Sequence, residues 1–186
     1  MKHKVTRSAV ATVLARSQLR AEADGLKTHF SKLRRSRDPF YFDVADLDAV
    51  LRFKLRGQYA RQSVRRRANE AVAVRAVTEA AFRVRSDDPD YELEVRAGLL
   101  ASLPGIGVGV ASAILALTEP ESYGVIDVRA WRQLFPGARK RPPFTVTDYR
   151  KFMAELRALA NRLGYTPQEI DVALWELDAS RSQRSG

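Results

Sequence analysis

The chain has 186 residues, of which 45% are hydrophobic and none is cysteine. A packed core is therefore expected, while disulfides, thiolate zinc sites and thiolate-bound iron–sulfur clusters are excluded. Lys and Arg number 32 against 22 Asp and Glu, and the resulting net charge of +10 favours a polyanionic partner such as nucleic acid. The two histidines are too few for a histidine-based site, so we expect no metal.

The apolar segments are too short for a membrane protein. The longest of them, residues 108–117, falls well below the roughly 20 residues of a membrane span. The basic, amphipathic N-terminus lacks the continuous apolar region of a signal peptide, so we expect it to form the first helix. These features predict a cytoplasmic protein without a membrane partner.

Apolar periodicity predicts helices in the first half of the chain. The first helix is expected over residues 5–22, followed by a mixed region at 23–42 in which residues 31–39 form a basic loop that ends at Pro39. Asp43 is expected to cap a helix that ends near Gly57. A longer helical segment is predicted over 66–84.

The second half is also predicted to be helical, after a break at 86–90 with helix-capping residues. Thr147 is expected to cap one helix and Gly164 to end it, while Thr166 and Glu169 form a capping box for the last helix. The predicted helices cover residues 91–102, the segment after Gly107, 128–135, 148–164 and 167–179. The short apolar segment YGVIDV lacks a partner strand, so an all-α fold is predicted.

The sequence Leu-Pro-Gly-Ile-Gly connects two of these helices at residues 103–107. Pro104 ends the first helix and Gly105 permits a positive φ in the turn. Gly107 leaves the first amides of the second helix accessible, and such amides bind anions. Ile106 is expected to hold the hairpin between its helices. This pattern favours a phosphate-binding hairpin, and the alternative is a helical hairpin whose glycines serve close packing.

The hairpin and the segment after it resemble the helix-hairpin-helix DNA glycosylase superfamily, most of all its 8-oxoguanine-glycosylase-like branch. The resemblance is specific over about residues 91–135, where LPGIG is followed by GVID and an Arg-containing helix. Eighteen residues separate Gly109 from Asp127, as in the superfamily between its lysine position and its catalytic aspartate. Asp127 is thus implied as the catalytic residue, and a cap of helix 128–135 is its simpler role.

The resemblance implies two helical lobes with a cleft between them, within one compact unit of residues 1–186. Residues 43–135 would form a barrel lobe containing the hairpin at 91–118. The second lobe would consist of 1–42 and 136–186.

The activity implied by the resemblance is excision of a damaged or modified base, such as an oxidised purine, in base excision repair. A carboxylate beside C1′ stabilises the positive charge that develops on the sugar. The superfamily's bifunctional members carry a lysine where this chain has Gly109, so base release without strand cleavage is expected. Lys54, the one lysine between 33 and 139, is an alternative nucleophile, although contact with solvent or phosphate is its simpler role. No cofactor is expected beyond a monovalent cation at the hairpin carbonyls.

The expected partner is double-stranded DNA, bound by a monomer in the nucleoid. Seven cations and no acid lie between residues 52 and 67, which predicts phosphate contacts. Trp131 is a candidate for the base pocket, although core packing is its simpler role. The residues expected to contact DNA are Leu103, Pro104, Gly105, Ile106, Gly107, Gly109, Arg52, Arg56, Arg61, Arg65, Arg66 and Arg129. A non-catalytic DNA-binding protein and an RNA-associated basic protein are the alternatives.

Overall fold

Helices form the regular structure throughout a computed structural model of the chain, which describes residues 5–138 and 142–184 and omits the side chains of 62, 65, 66 and 181–184. No strand occurs within these described ranges, so the predicted all-α class is confirmed there. Two 3-10 turns, Arg56–Gln58 and Ala60–Gln62, follow the third helix. The α-helices are α1 (Arg7–Leu14), α2 (Gln18–Ser36), α3 (Val44–Leu55), α4 (Ser63–Arg67), α5 (Ala71–Arg83), α6 (Pro89–Ala101), α7 (Val108–Thr118), α8 (Val128–Leu134), α9 (Val146–Leu163) and α10 (Pro167–Arg184).

The capping residues fix most helix boundaries where the sequence placed them. Asp43 caps α3 in a reciprocal capping box with Asp46. Gly164 ends α9 in the left-handed conformation, with φ of 70°. Thr166 and Glu169 exchange the hydrogen bonds of the predicted capping box at the start of α10. These three predictions are confirmed.

Several predicted boundaries are wrong. The first helix is interrupted because Ser17 caps α2, accepting from the Arg20 amide at 3.0 Å and donating to Glu176 at 2.6 Å. Helix α2 then continues into the predicted basic loop as far as Ser36, and α5 begins at Ala71 instead of residue 66. The cap of α9 is Thr145 and not Thr147, since Thr145 forms the capping box with Asp148.

Helix α7 lies at the centre of the molecule. Its residues from Val108 to Leu117 are buried except for Gly109, because the helix has no charged residue and no polar face. Helices α2, α3, α6, α9 and α10 all pack against it. The buried core is one continuous cluster to which helices of both predicted lobes contribute.

A buried ion pair network joins α6 to the chain that leaves α7. Arg96, which has no exposed surface, donates to Glu119 at 2.7 Å, to Glu92 at 2.9 Å and to the Tyr123 hydroxyl at 3.1 Å. Burial acts to raise the pKa of Glu119, but the hydrogen bonds and charge of Arg96 outweigh it and hold this pKa below its usual value. Arg34 and Arg85 also bind Glu119. The network fixes where the chain leaves α7.

We expect the Arg96→Gln substitution to lower the free energy of unfolding by up to about 3–5 kcal/mol, because it removes the buried cation of the network and leaves only the partly exposed Arg34 and Arg85 to pair with Glu119. Urea unfolding followed by circular dichroism measures this change. The matched control is Arg150→Gln, which removes an exposed arginine paired with Glu94 and should leave the stability almost unchanged. Equal effects of the two substitutions would contradict a stabilising role for the buried network around Arg96.

Candidate active site

The hairpin between α6 and α7 has a buried base and an exposed tip. Leu103 and Ile106 are buried, whereas Pro104 and Gly107 are exposed. Gly105 has a φ of 77°, as predicted, and this conformation reverses the chain. The Ile106 amide donates to the Leu103 carbonyl at 3.0 Å and closes the turn. The hairpin therefore presents its backbone at the surface while its apolar side chains anchor it.

A side chain from outside the hairpin also holds it. Asn69, which precedes α5, donates from Nδ2 to the Pro104 carbonyl at 2.8 Å and is itself buried. The sequence analysis did not identify Asn69, and no local pattern distinguishes it from other loop asparagines. Its position explains why α5 starts later than predicted, since residue 69 is held by this contact.

The start of α7 is accessible to an anion. Gly107 is the N-cap residue and supplies no side-chain cap to the amides behind it. The amides of Val108 and Gly109 belong to the first turn, where no intrahelical carbonyl is available to them. A Cβ on Gly107 would meet nothing within 4 Å, so the space beside this residue at the start of α7 is open. The positive end of the helix dipole points into that space.

Asp127 is held in place by the non-helical segment that precedes it. Within residues 123–126, the Val125 amide donates to Asp171 at 2.7 Å and the Ile126 amide donates to the Ser112 hydroxyl at 3.1 Å. Asp127 then caps α8, because its Oδ1 accepts from the Arg129 amide at 2.8 Å. The capping role considered in the sequence analysis is confirmed, and it fixes the direction of the carboxylate.

Lys54, in the last turn of α3, forms an ion pair with Asp127. Its Nζ lies 3.3 Å from Asp127 Oδ2 and donates to the Ile126 carbonyl at 3.1 Å. The Lys54 side chain is 14% exposed and that of Asp127 is 33% exposed. A Cβ on Gly109 would lie 3.7 Å from Lys54 Cε, so the lysine covers the position that Gly109 leaves empty. The structure thus brings together three residues that the sequence analysis singled out separately.

Two cavities meet at this pair. A cleft of about 600 Å³ runs along the hairpin and is lined by Gly105, Gly107 and Phe144 among others. A smaller pocket of about 60 Å³ lies behind it. Lys54 and Asp127 line both cavities, so they form the boundary between them.

The smaller pocket combines apolar walls with one buried acid. Phe53 and Trp175 form part of its wall, and Asp171 contributes a carboxyl group that is 5% exposed. Burial raises the pKa of Asp171 well above its usual value, while the hydrogen bond from the Val125 amide and the charge of Lys54 act in the opposite direction. The sequence analysis missed Asp171, although an acid among the apolar residues of α10 signals a buried carboxyl group.

Trp131 has the simpler of the two roles considered for it, which is core packing. Trp131 is buried in the core, where its ring packs on Phe135 at 4.3 Å and its Nε1 donates to the Ala138 carbonyl at 3.0 Å. It lines neither cavity at the Lys54–Asp127 pair, so the structure does not place Trp131 in the base pocket. The second tryptophan, Trp175 of α10, lines the small pocket.

The predicted basic run is exposed but paired in part with acids. Arg52 binds Asp48 at 2.8 Å, and Arg56 binds Glu22 at 2.9 Å. Arg61 is exposed in the second 3-10 turn. These arginines retain exposed surface, so a phosphate group can compete with Asp48 and Glu22 for Arg52 and Arg56.

Three further predicted arginines differ from these. Arg65 and Arg66 belong to α4, and their side chains lie outside the described residues. Arg129 lies over the Trp175 ring at 4.8 Å from its centre, with its guanidinium 3.9 Å from Asp178. Arg129 is thus directed to the wall of the small pocket instead of the hairpin cleft.

Comparisons with known proteins give no relative for this arrangement: no family model, no curated protein and no solved structure matches the chain. Within the described ranges, no helix is long and apolar enough to cross a membrane. Nor do His, Asp and Glu residues of the described part form a group of three or more that could hold a metal ion.

Gly124 permits the close packing that places Asp127, and we expect Gly124→Ala to lower the free energy of unfolding by about 1–3 kcal/mol. A Cβ there would clash with Leu156 Cδ2 and lie 3.1 Å from the Pro167 carbonyl oxygen. Thermal and urea unfolding measure the effect. Gly98→Ala is the control, since its Cβ would meet nothing within 4 Å in α6 and alanine favours a helix. A Gly124→Ala protein as stable as the wild type would refute the tight contact.

Proposed function

We propose that the protein is a DNA N-glycosylase that excises a damaged or modified base. The observation that carries this proposal is the Lys54–Asp127 pair, which separates the hairpin cleft from the small pocket. A glycosylase needs a site for the DNA backbone, then a carboxylate at the sugar, then a pocket for the extruded base. The hairpin cleft, Asp127 and the small pocket adjoin one another in the same order.

In the proposed reaction, the α7 amides at the exposed Gly107 bind a phosphate of the damaged strand. The nucleotide leaves the stack and its sugar comes to lie beside Asp127. As the bond between C1′ and the base breaks, the sugar acquires positive charge, which the fixed carboxylate stabilises. Asp127 is suited to this role because the cap and the Lys54 contact hold it before the substrate arrives.

The extruded base would occupy the pocket beside Phe53 and Trp175, whose rings offer stacking surfaces. Burial raises the pKa of Asp171 and so favours its protonated form, which can both donate and accept hydrogen bonds. Such a group suits the edge of a purine, and an oxidised purine is the substrate class that we propose. Occupancy by a whole base requires the pocket to widen, since its volume is about 60 Å³.

The charge of the protein supports a double-stranded DNA partner. The net charge of +10 attracts a polyanion over a long range, and the arginines after α3 lie exposed near the cleft residue Lys54. We propose that a monomer binds the duplex in the cytoplasm, within the nucleoid, and that no cofactor takes part.

A second candidate function is non-catalytic DNA binding through the hairpin. One observation favours it: Asp127 already has a complete structural role, with its two oxygens bound by the Arg129 amide and by Lys54. A protein that only bends or marks DNA would retain this contact for stability alone.

The Asp127→Asn substitution is expected to lower the rate of base release by about 10²–10³-fold or more, because a preorganised charge is lost from a partly desolvated site. The assay measures free base released from duplex oligonucleotides, each carrying one oxidised purine, alkylated purine or uracil. Asp88→Asn is the matched control, since Asp88 also caps a helix, α6, and lies outside both cavities.

The same assay separates the two candidate functions. A rate for Asp127→Asn within tenfold of the wild type would leave Asp127 as a helix cap only. Tight binding of the wild-type protein with no base released from any oligonucleotide would favour the non-catalytic protein.

The Gly107→Asp substitution is expected to weaken duplex binding by about 10- to 100-fold, because a carboxylate would take the place of the phosphate. The backbone of Gly107 is extended, and aspartate is a favourable N-cap residue, so the fold should be retained. Gel-shift titration with duplexes of unrelated sequence measures the loss. The control is Gly25→Asp, which makes the same charge change at another open position. Equal affinities for the two variants would count against a phosphate site at α7.

A further inference from the structure

Arg75 of α5 is an exposed arginine that lies against an aromatic ring. Its guanidinium carbon is 4.3 Å from the centre of the Tyr41 ring. Within the described part of the chain, this guanidinium forms no ion pair and no side-chain hydrogen bond. Its N–H groups therefore remain available to an acceptor from outside the protein.

The other arginines that lie over aromatic rings in the described residues also pair with carboxylates. Arg34 lies over the Phe40 ring at 4.4 Å from its centre and binds Glu119 at 3.1 Å. A ring contact and a carboxylate partner also occur together at Arg37, Arg52, Arg56, Arg96 and Arg129. Arg75 keeps the ring contact without an acid, so the charges of the described chain do not explain its position.

The Tyr41 ring is held in the turn that precedes α3. A second guanidinium, that of Arg37, also lies over this ring, at 5.0 Å from its centre. Arg37 donates to the Tyr41 carbonyl at 3.0 Å, to Asp43 at 3.0 Å and to Asp46. These two acids neutralise Arg37, so the charge that remains at the ring is that of Arg75. A guanidinium ordered in advance loses less conformational freedom on binding than a mobile one.

Arg75 also lies close to the hairpin along α5. Asn69, which holds the Pro104 carbonyl, comes two residues before Ala71, where α5 begins. From Ala71 to Arg75 the helix rises by about 6 Å, since each residue adds roughly 1.5 Å. One strand of a duplex carries a phosphate about every 3.4 Å along its axis. A duplex bound at the hairpin therefore extends past Arg75 within a few nucleotides.

Two exposed valines flank Asn69 in the sequence. Val72, in the first turn of α5, is 72% exposed, and Val64 of α4 is 82% exposed. Their side chains can pack on deoxyribose, whose carbons alternate with the phosphates along a strand. Apolar groups beside an unpaired cation thus fit a backbone that alternates sugar and phosphate.

We propose that Arg75 is a second phosphate clamp, which binds the DNA backbone beside the phosphate held by the α7 amides. The ligand class is a phosphodiester of duplex DNA, whose two free oxygens match the planar guanidinium in a bidentate contact. Tyr41 is a positioning residue, because it orders Arg75 without touching the phosphate. This inference rests on the proposed function for its partner, and it extends the binding surface from the hairpin to α5.

The salt dependence of duplex binding tests this clamp without any need for catalysis. Each neutralised phosphate steepens the slope of log K against log salt concentration by roughly 0.9. We therefore expect Arg75→Ala to make the slope shallower by about 0.9 and to weaken binding about five- to tenfold at roughly 0.1 M salt. Fluorescence anisotropy measures this with the full-length protein and an undamaged duplex, over roughly 50–200 mM salt.

Arg83→Ala is the matched control. Arg83 is an exposed arginine of the same helix, but Glu79 binds it at 3.1 Å. Both substitutions remove one positive charge, so an effect of net charge alone would change the two slopes equally. We expect the slope of Arg83→Ala to equal that of the wild type.

A double-mutant cycle separates the positioning role of Tyr41 from a structural one. Tyr41→Leu removes the ring and should weaken binding about two- to tenfold, because Arg75 must then be ordered on binding. Tyr41→Phe keeps the ring and should bind as the wild type does. In the Arg75→Ala background, Tyr41→Leu should have no further effect on the affinity. Urea unfolding checks that each variant is folded.

Each result supports or overturns the clamp. An unchanged slope for Arg75→Ala, or equal changes for Arg75→Ala and Arg83→Ala, would overturn it and leave the glycosylase proposal standing. A loss of affinity for Tyr41→Leu that persists undiminished in the Arg75→Ala background would overturn the role of Tyr41. A shallower slope for Arg75→Ala in a protein that releases no base would support the clamp and overturn the glycosylase. A wild-type protein that does not bind the duplex would overturn both.

Discussion

Helix α7 has no polar face, and this constraint organises the molecule around it. Five helices cover its sides, so its two ends are the places where its backbone can reach the surface. At the N-terminal end the hairpin exposes Gly107, and at the C-terminal end the chain is held by Glu119 on Arg96. Because both ends are fixed, the segment that returns from Glu119 to Asp127 must run back along α7 toward the hairpin. The carboxylate thus comes close to the open amides through packing, without any direct bond between them.

The same packing explains why three separate elements contribute to one site. Helix α3 lies against α7 and sends Lys54 to Asp127, while α10 lies against α8 and brings Asp171 to the Val125 amide. Each contact crosses between elements that are far apart in sequence, and each ends on the backbone or cap of residues 125–127. This short non-helical segment is consequently the point on which the apolar core, the polar pocket and the hairpin cleft converge.

The local features of the sequence predicted the structure well, and the long-range contacts did not follow from them. The positive φ of Gly105, the cap at Asp127 and the end of α9 at Gly164 depend on a few neighbouring residues, which the sequence displays directly. The start of α2 depends in addition on Glu176, which lies far along the chain. The position of Trp175 at the small pocket, with Trp131 in the core, also did not follow from the sequence, since helical spacing does not tell which of two apolar faces meets a cavity.

The buried Asp171 has a consequence for the electrostatic field inside the pocket. Asp171 and Asp127 face the two cations that line the pocket, Lys54 and Arg56, so the charges at its wall oppose one another although the protein carries a net charge of +10. An anion therefore gains little by entering the pocket and remains with the cations and helix amides outside it. A neutral, flat heterocycle meets no such barrier. The distribution of charge thus favours the phosphate groups of a nucleotide outside the pocket and its neutral base inside it.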